Sequence, residues 1–223
     1  VVITGFVARD RDGLATTLGR NGSDYSGAIF AVLFQAVELT IWTDVDGVLS
    51  ADPRLVPDAV CLPVMSYAEA CELAYFGAKV LHPQTMAPAM QAGLPIVIRN
   101  SRSPSGAGTR IIGSADAAAA SASPVKGLSL LQHMALIELS GAGLIGVPGT
   151  AERMFAALRE AAVSVTMISQ GSSEHSICCV VPAAQAERGR HAIEVAFAEA
   201  VADGQVEGVY VTDNIAVLAA VGD

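Results

Sequence analysis

The sequence predicts an α/β protein in two parts: a three-layer αβα unit on a mostly parallel sheet, then a ferredoxin-like βαββαβ unit. Three observations predict it. Extended and helical stretches alternate through the first half, the pattern of a parallel sheet covered by helices. Beyond residue 134 the strand and helix signals run β-α-β-β-α-β, the split ferredoxin-like order. Hydrophobic residues make up 52% of the 223 residues and charged residues only 16%. That is enough to fill a core and too apolar for a disordered chain.

In order along the chain, Val1–Val7 reads as a core strand and Asp10–Gly13 as a polar turn. Leu14–Thr17 leads into the segment Gly19–Asp24. Tyr25–Ala36 is apolar nearly all round, which predicts a helix buried between layers. Val37–Thr43 is a strand and Asp44–Pro57 a loop. Ser66–Phe76 is an amphipathic helix in which Ser66 and Glu69 have capping-box spacing. Pro83–Ala92 is a second helix, ended by Gly93, and Leu94–Arg99 is a strand. Gly113–Pro124 has no large side chain and ends in a helix breaker, so it reads as a linker; an Ala-rich helical spacer is the alternative. It divides residues 1–112 from 125–223.

In the second part Ala135–Leu139 is a strand. Ala151–Ala162 carries Met154, Phe155, Leu158 and Ala162 on one face and Glu152, Arg153, Arg159 and Glu160 on the other, an i, i+3, i+4 stripe. Val163–Ser169 and Ile177–Val181 are strands joined by the polar turn Gln170–Ser176. Gln185–Ala200 is a helix, and Val206–Thr212 and Ile215–Val221 are further strands.

Composition excludes several function classes. Thirteen basic against 22 acidic residues give 13 − 22 = −9, and an acidic surface repels phosphate backbones, so nucleic acid is not the expected partner. The longest apolar runs, Ala28–Phe34 and Ile215–Val221, fall far short of the ~20 residues that span a bilayer. Cys61, Cys71, Cys178 and Cys179 form neither a disulfide framework nor a metal-ligand spacing, and read as reduced thiols of a cytoplasmic protein. The first residues have no initiator Met and no basic region, so they read as strand rather than signal peptide. A chain beginning inside a core strand is expected to be part of something longer.

Three segments could carry chemistry. Thr17–Tyr25 (TLGRNGSDY) stands between a short strand and a helix. Its glycines admit a ligand to the backbone and the helix start offers N–H groups to an anion. Arg20 adds a fork suited to carboxylate or phosphate. A solvated turn with Ser23 or Asp24 as N-cap is the competing reading. Trp42–Val48 (WTDVDGV) ends a strand, where ligands of open α/β sheets sit, so Thr43 and Asp44 could meet a nucleotide or its Mg²⁺. An Asx-type turn is the alternative. Asp52-Pro53-Arg54 is either a surface turn or an arginine over phosphates. Phe76–Pro83 (FGAKVLHP) joins two helices; Lys79 either snorkels or meets an anion, and His82 reads as a local cap.

Together and in this order, these segments resemble the aspartokinases of the amino-acid kinase family, and the resemblance covers essentially the whole chain. It implies MgATP-dependent phosphorylation of L-aspartate to 4-phospho-L-aspartate, the first step towards lysine, threonine and methionine. It implies that Asp24 organises the catalytic centre, that Arg20, Asn21, Gly22 and Ser23 bind aspartate, and that Thr43, Asp44, Leu49, Arg54 and Lys79 contact ATP. At Leu49 relatives often carry tyrosine. The Lys-Phe-Gly-Gly segment and a substrate glutamate of the family are absent from these residues, so the chain alone is expected to have little or no kinase activity. The second part resembles ACT regulatory domains, with residues 215–223 like the start of a second such unit. By that resemblance Gln170, Thr166, Val165 and Leu144, in the Gly141–Gly146 loop, contact an amino-acid effector, threonine or lysine, and ACT domains pair into a homodimer. The bland reading of Gln170 is the start of a turn.

Overall fold

The computed structural model describes residues 1–19, 21–76, 82–114, 116–117, 123–144, 147–170 and 175–222. They form two compact units, Val1–Leu130 with Leu218–Asp223, and Leu131–Val217. No helix among the described residues is long and apolar enough to cross a membrane.

The first unit opens with a hairpin of β1 (Val7–Arg9) and β2 (Ala15–Thr17). Asp10 closes its turn by accepting from the amides of Asp12 and Leu14 at 3.0 and 2.8 Å. The expected strand Val1–Val7 is absent up to residue 6, where Val1 and Val2 stand fully in solvent. Then come α1 (Gly22–Leu33), β3 (Leu39–Thr43), β4 (Val64–Ser66), α2 (Tyr67–Tyr75), α3 (Pro83–Gln91), β5 (Ile96–Asn100) and β6 (Thr109–Ile112). The sheet order is β3-β5-β6-β4. One sheet face supplies Ile96, Ile98, Ile111 and Met65 to a core completed by Leu73, Met86, Ala89 and Ala28 from the helices.

Two expectations need correcting. The sheet is not parallel throughout: β3 and β5 run parallel, as do β4 and β6, but β5 and β6 are antiparallel. Residues 101–108 between them are too few for a helical crossover, so the chain must turn straight back. Gly108 makes that return possible, with φ +72° and only 2.0 Å between an added Cβ and the Ile98 carbonyl oxygen. Helix α1 is not buried all round either. Its core-facing side is made of small residues, Ser26 and Ala28, while Leu33 and Phe34 are two-thirds exposed. Apolar composition reported the helix but not which side would be covered.

The capping box forms as its spacing requires: Ser66 Oγ accepts from the Glu69 amide at 3.1 Å, and the Glu69 carboxylate accepts from the Ser66 amide at 2.7 Å. His82 caps α3 through Nδ1, which accepts from the Gln84 amide. In the segment expected to be a linker, residues 115 and 118–122 lie outside the described set, and residues 114, 116 and 117 are helical with Ala117 buried.

The second unit follows the βαββαβ order with β7 (Gly127–Ser140), α4 (Thr150–Glu160), β8 (Met167–Gln170), β9 (Ser176–Pro182), α5 (Ala183–Ala196), the short α6 (Ala198–Ala202) and β10 (Gly208–Val221). Strand order is β10-β7-β9-β8. Residues 206–212 and 215–221 do not form separate strands; β10 runs through them, accommodating Asn214 at φ +58°. Ile137, Leu139, Cys179 and Val181 point from the sheet onto Met154 and Leu158 of α4 and Ile193 of α5. Gly189 lets α5 lie close, since an added Cβ would stand 2.8 Å from Ile137 Cδ1. Burial, with Cys178 alongside, pushes the Cys179 thiol up to about 11.

Candidate functional site

Helix α1 starts three residues earlier than its apolar run suggests. Asn21 takes a left-handed conformation at φ +60° and becomes the N-cap, with no side-chain cap bond. Ser23 and Asp24 therefore lie inside the first turn rather than capping it. Gly22 is buried, and a Cβ there would come within 2.7 Å of Leu18 Cβ and 3.2 Å of Phe6. Ser26 donates back to the Gly22 carbonyl at 2.8 Å and accepts from the Phe6 amide at 3.0 Å. The Leu18 amide bonds to the Phe6 carbonyl at 2.9 Å. These bonds fix the start of the helix against the chain on both sides. Asp24 is half-buried, and desolvation raises its carboxyl above the ordinary aspartate value, although the helix dipole at this end favours negative charge. Arg20 lies outside the described residues.

Strand β3 ends at Thr43, which pairs in register with Asn100, the last residue of β5. The Thr43 hydroxyl lies 3.3 Å from an Asp44 carboxylate oxygen. The Thr43 carbonyl accepts from the amide and hydroxyl of Ser101 at 2.8 and 3.0 Å. Asp46 accepts from the Asn100 amide group at 2.8 Å. The turn that follows is seated by the buried Thr109 hydroxyl, which accepts from the Val48 amide at 2.8 Å and donates to the Leu62 carbonyl at 2.7 Å. Gly47 is needed there, because an added Cβ would fall 2.4 Å from that hydroxyl.

Chain order places these pieces on one edge. Helix α1 packs on β3 and reaches it through the short connection 34–38, so helix and strand run in opposite senses. The 12 residues of α1 rise about 18 Å and the five of β3 about 17 Å, so the start of α1 stands at the level where β3 ends. Helix α3, which packs against α1, precedes β5 across the short connection 92–95, and β5 is parallel to β3. The N-termini of α1 and α3 and the C-termini of β3 and β5 thus share one edge of the sheet. This is where ligands of open α/β sheets bind.

Of the expected nucleotide contacts, Thr43 and Asp44 lie on this edge. Leu49 pairs with Cys61 in an isolated bridge. Arg54 is largely exposed and held by Asp52, whose carboxylate meets its Nε at 3.0 Å and its backbone amide at 2.9 Å. Lys79 lies outside the described residues. Asn100 and Ser101, at the end of the parallel strand β5, hold this turn in place and were not among the expected residues. Among the described residues no cluster of three or more His, Cys, Asp or Glu could hold a metal ion. One or two carboxylates suffice for a Mg²⁺ carried by a nucleotide, and Asp44 is such a group.

The second unit carries a groove of about 340 Å³ lined by Leu144, Val147–Ala151, Gln170 and Ile177. It brings Gln170, at the end of β8, together with Leu144, in the turn after β7. Val165 and Thr166 do not line it: Val165 packs on the core, and the Thr166 amide bonds to the Val180 carbonyl at 2.8 Å. The groove opens on the N-terminus of α4, where Gly149 is left-handed at φ +87° and no side chain caps the helix. Gly149 and Thr150 also line the groove, Gly149 being a residue type accepted at a helix N-cap.

Comparison with known proteins adds the following. Residues 1–100 match the model of the amino acid kinase family, and residues 137–197 that of an ACT domain. The chain is 47% identical, over its whole length, to bifunctional aspartokinase/homoserine dehydrogenase 1 of Arabidopsis thaliana, of which it covers 25%. It is 44% identical to the bifunctional aspartokinase/homoserine dehydrogenase of Haemophilus influenzae, of which it covers 27%. The chain therefore spans about a quarter of the length of these relatives. Among solved structures it resembles the aspartate kinase of Clostridium acetobutylicum with a TM-score of 0.83 and 28% identity, over 98% of this chain and 49% of that one. Aspartokinase III of E. coli, in complex with aspartate and ADP, matches with a TM-score of 0.73 and 30% identity, over 98% and 47%. The same enzyme with lysine and aspartate gives 0.74 and 29% over the same shares.

Proposed function

From a chain that joins an amino acid kinase segment to an ACT domain, we propose that these residues serve an aspartokinase. The reaction passes the γ-phosphoryl group of MgATP to the side-chain carboxylate of L-aspartate, giving 4-phospho-L-aspartate and ADP. Chain order and the parallel pairing of β3 with β5 support this reading, since they bring the start of α1 to the sheet edge where β3 and β5 end. Phosphoryl transfer needs mainly positioning and charge neutralisation. An uncapped helix start, glycine turns and an arginine supply donors for anionic oxygen, with Asn21, Gly22, Ser23 and Arg20 at the aspartate. In this reading Asp24 organises the catalytic centre, while Thr43, Asp44, Leu49, Arg54 and Lys79 address the nucleotide and its Mg²⁺. The E. coli relative solved with aspartate and ADP supports this pairing of ligands.

The ACT part is the regulatory half of this reading. A free amino acid in the groove between Gln170 and Leu144 would place its carboxylate at the start of α4 and its amine toward the Gln170 side-chain carbonyl. Effector binding shifts activity by its differential affinity for two states. Threonine suits a groove whose described lining holds no carboxylate, and pairing of ACT units between two copies and a cytoplasmic or plastid location complete the proposal. Titration calorimetry tests it. The chain should bind MgADP and, independently, threonine or lysine, and Gln170→Ala should weaken the amino acid about tenfold or more. Amino-acid binding without MgADP would reduce the chain to a sensor module, and binding of neither overturns the proposal.

A further inference from the structure

One short stretch holds α2 at both ends. At the N-terminus Lys126 Nζ meets the Glu69 carboxylate at 2.8 Å, and both side chains are 3% exposed. Glu69 is also the carboxylate of the capping box, so this one group ties the Ser66 amide and Lys126 together. The Lys126 amide bonds to the Val221 carbonyl at 2.9 Å. At the C-terminus of α2 the Ser129 hydroxyl donates to the Phe76 carbonyl at 2.7 Å. Between these points the Leu128 amide bonds to the Ser50 carbonyl at 2.7 Å. Ser50 in turn exchanges bonds with Val60, through its amide at 2.8 Å and its hydroxyl at 3.0 Å. Gly127 permits the fit, since an added Cβ would press at 3.2 Å on Leu73 and 3.3 Å on the Ser50 carbonyl.

One segment so held carries two of the proposed nucleotide contacts, Leu49 and Arg54; Thr43 and Asp44, at the end of β3, are held by Asn100 and Ser101 instead. Ser50 lies between Leu49 and Arg54, and Phe76 leads into the stretch containing Lys79. A buried ion pair is a poor source of stability compared with apolar side chains of equal volume. What it supplies is direction: Lys126 is paired with Glu69, and Glu69 is fixed by the start of α2. Resting on the aspartokinase reading above, we propose that Lys126–Ser129 is a strap that sets the position of the segment bearing Leu49 and Arg54 and of the end of α2, with Glu69 and Lys126 as positioning residues.

The test compares Lys126→Met, Lys126→Arg, the neutral pair Glu69→Gln/Lys126→Met and Ser129→Ala in the 223-residue chain. The readouts are amide hydrogen exchange by mass spectrometry and MgADP titration, with far-UV circular dichroism for the fold. We expect amides in 48–62 and 72–76 to exchange about tenfold faster in the neutral pair, and MgADP to bind about tenfold more weakly, the cost of a less populated competent state. Threonine or lysine binding should be unchanged, and Lys126→Arg should recover part of the loss. Ser129→Ala should loosen 73–76 alone. Should Lys126→Met not fold, the neutral pair and Ser129→Ala carry the decision. Folded variants with wild-type exchange in both segments would overturn the strap. If the wild type binds no MgADP, the aspartokinase reading fails, and the exchange data still judge the strap by themselves.

Discussion

Replacing Thr109 by valine preserves shape and removes one hydroxyl. That hydroxyl is the partner of both the Val48 amide and the Leu62 carbonyl, and Thr109 itself is 0% exposed. A buried donor or acceptor left unpaired costs about 1–3 kcal/mol. The Leu62 carbonyl can recover part of its loss from water, because Leu62 is 8% exposed, but the amide of Val48, at 4%, has little access. We expect Thr109→Val to destabilise the first unit by about 2–3 kcal/mol. Thr109→Ser keeps the hydroxyl and gives up one methyl group, which costs about 1 kcal/mol. The order is the reverse of what packing alone predicts. Urea unfolding followed by fluorescence of Trp42, the single tryptophan, reports on this unit. With a slope of about 1–3 kcal/mol per molar urea, the valine variant should lose roughly 1 M in midpoint. A valine variant as stable as wild type, or more stable than the serine variant, would refute the reasoning.

Two further outcomes follow from the same description. Gly108→Ala meets both a left-handed φ of +72° and the Ile98 carbonyl, whereas Gly93→Ala meets only φ +64° in open space. The first should lower the melting temperature much more than the second, whose cost is about 1 kcal/mol; equal shifts would mean that the 101–108 return is not as tight as described. Asp24 titrates upward through burial. A carboxyl raised in the folded state favours folding fully only below its unfolded value near 3.8, and that contribution is lost as pH rises through the folded value. At pH 7 the charge therefore opposes folding. Asp24→Asn should melt higher than wild type at pH 7, with the gain shrinking towards pH 4, even as it removes the proposed catalytic carboxylate. A lower melting point at pH 7 would contradict this sign.

Local rules in the sequence carried well where the chain decides locally. Ser66 and Glu69 specified a cap, the Asp10 turn closed as its residues suggested, and Met154, Phe155 and Leu158 of the α4 stripe faced the core, while Ala162 lies beyond the helix and is exposed. The βαββαβ order was legible because β7, β9, α4 and α5 are long or periodic, although β8 is only Met167–Gln170 and wholly exposed, shorter than the expected Val163–Ser169. Features depending on distant partners were not legible. Nothing in Tyr25–Ala36 marks which side of α1 the sheet covers. The antiparallel return of β6 follows from the shortness of the 101–108 connection and from Gly108, both visible in hindsight but silent on periodicity. The site was half-legible: TLGRNGSDY and WTDVDG point to anion and nucleotide chemistry, whereas Thr109, Asn100 and the Glu69–Lys126 pair act across separations of more than fifty residues. No spacing rule reaches that far.

The arrangement of β9 gives this protein a built-in clock. Cys179 is 0% exposed, with its thiol pushed up to about 11, so the reactive thiolate is scarce at neutral pH. Alkylating reagents can reach it only when the strand lifts from α4 and α5. Its modification rate therefore follows the fraction of molecules in which this sheet is open, and an amino acid bound as proposed at Gln170 should slow it without any change in the shape of the fold.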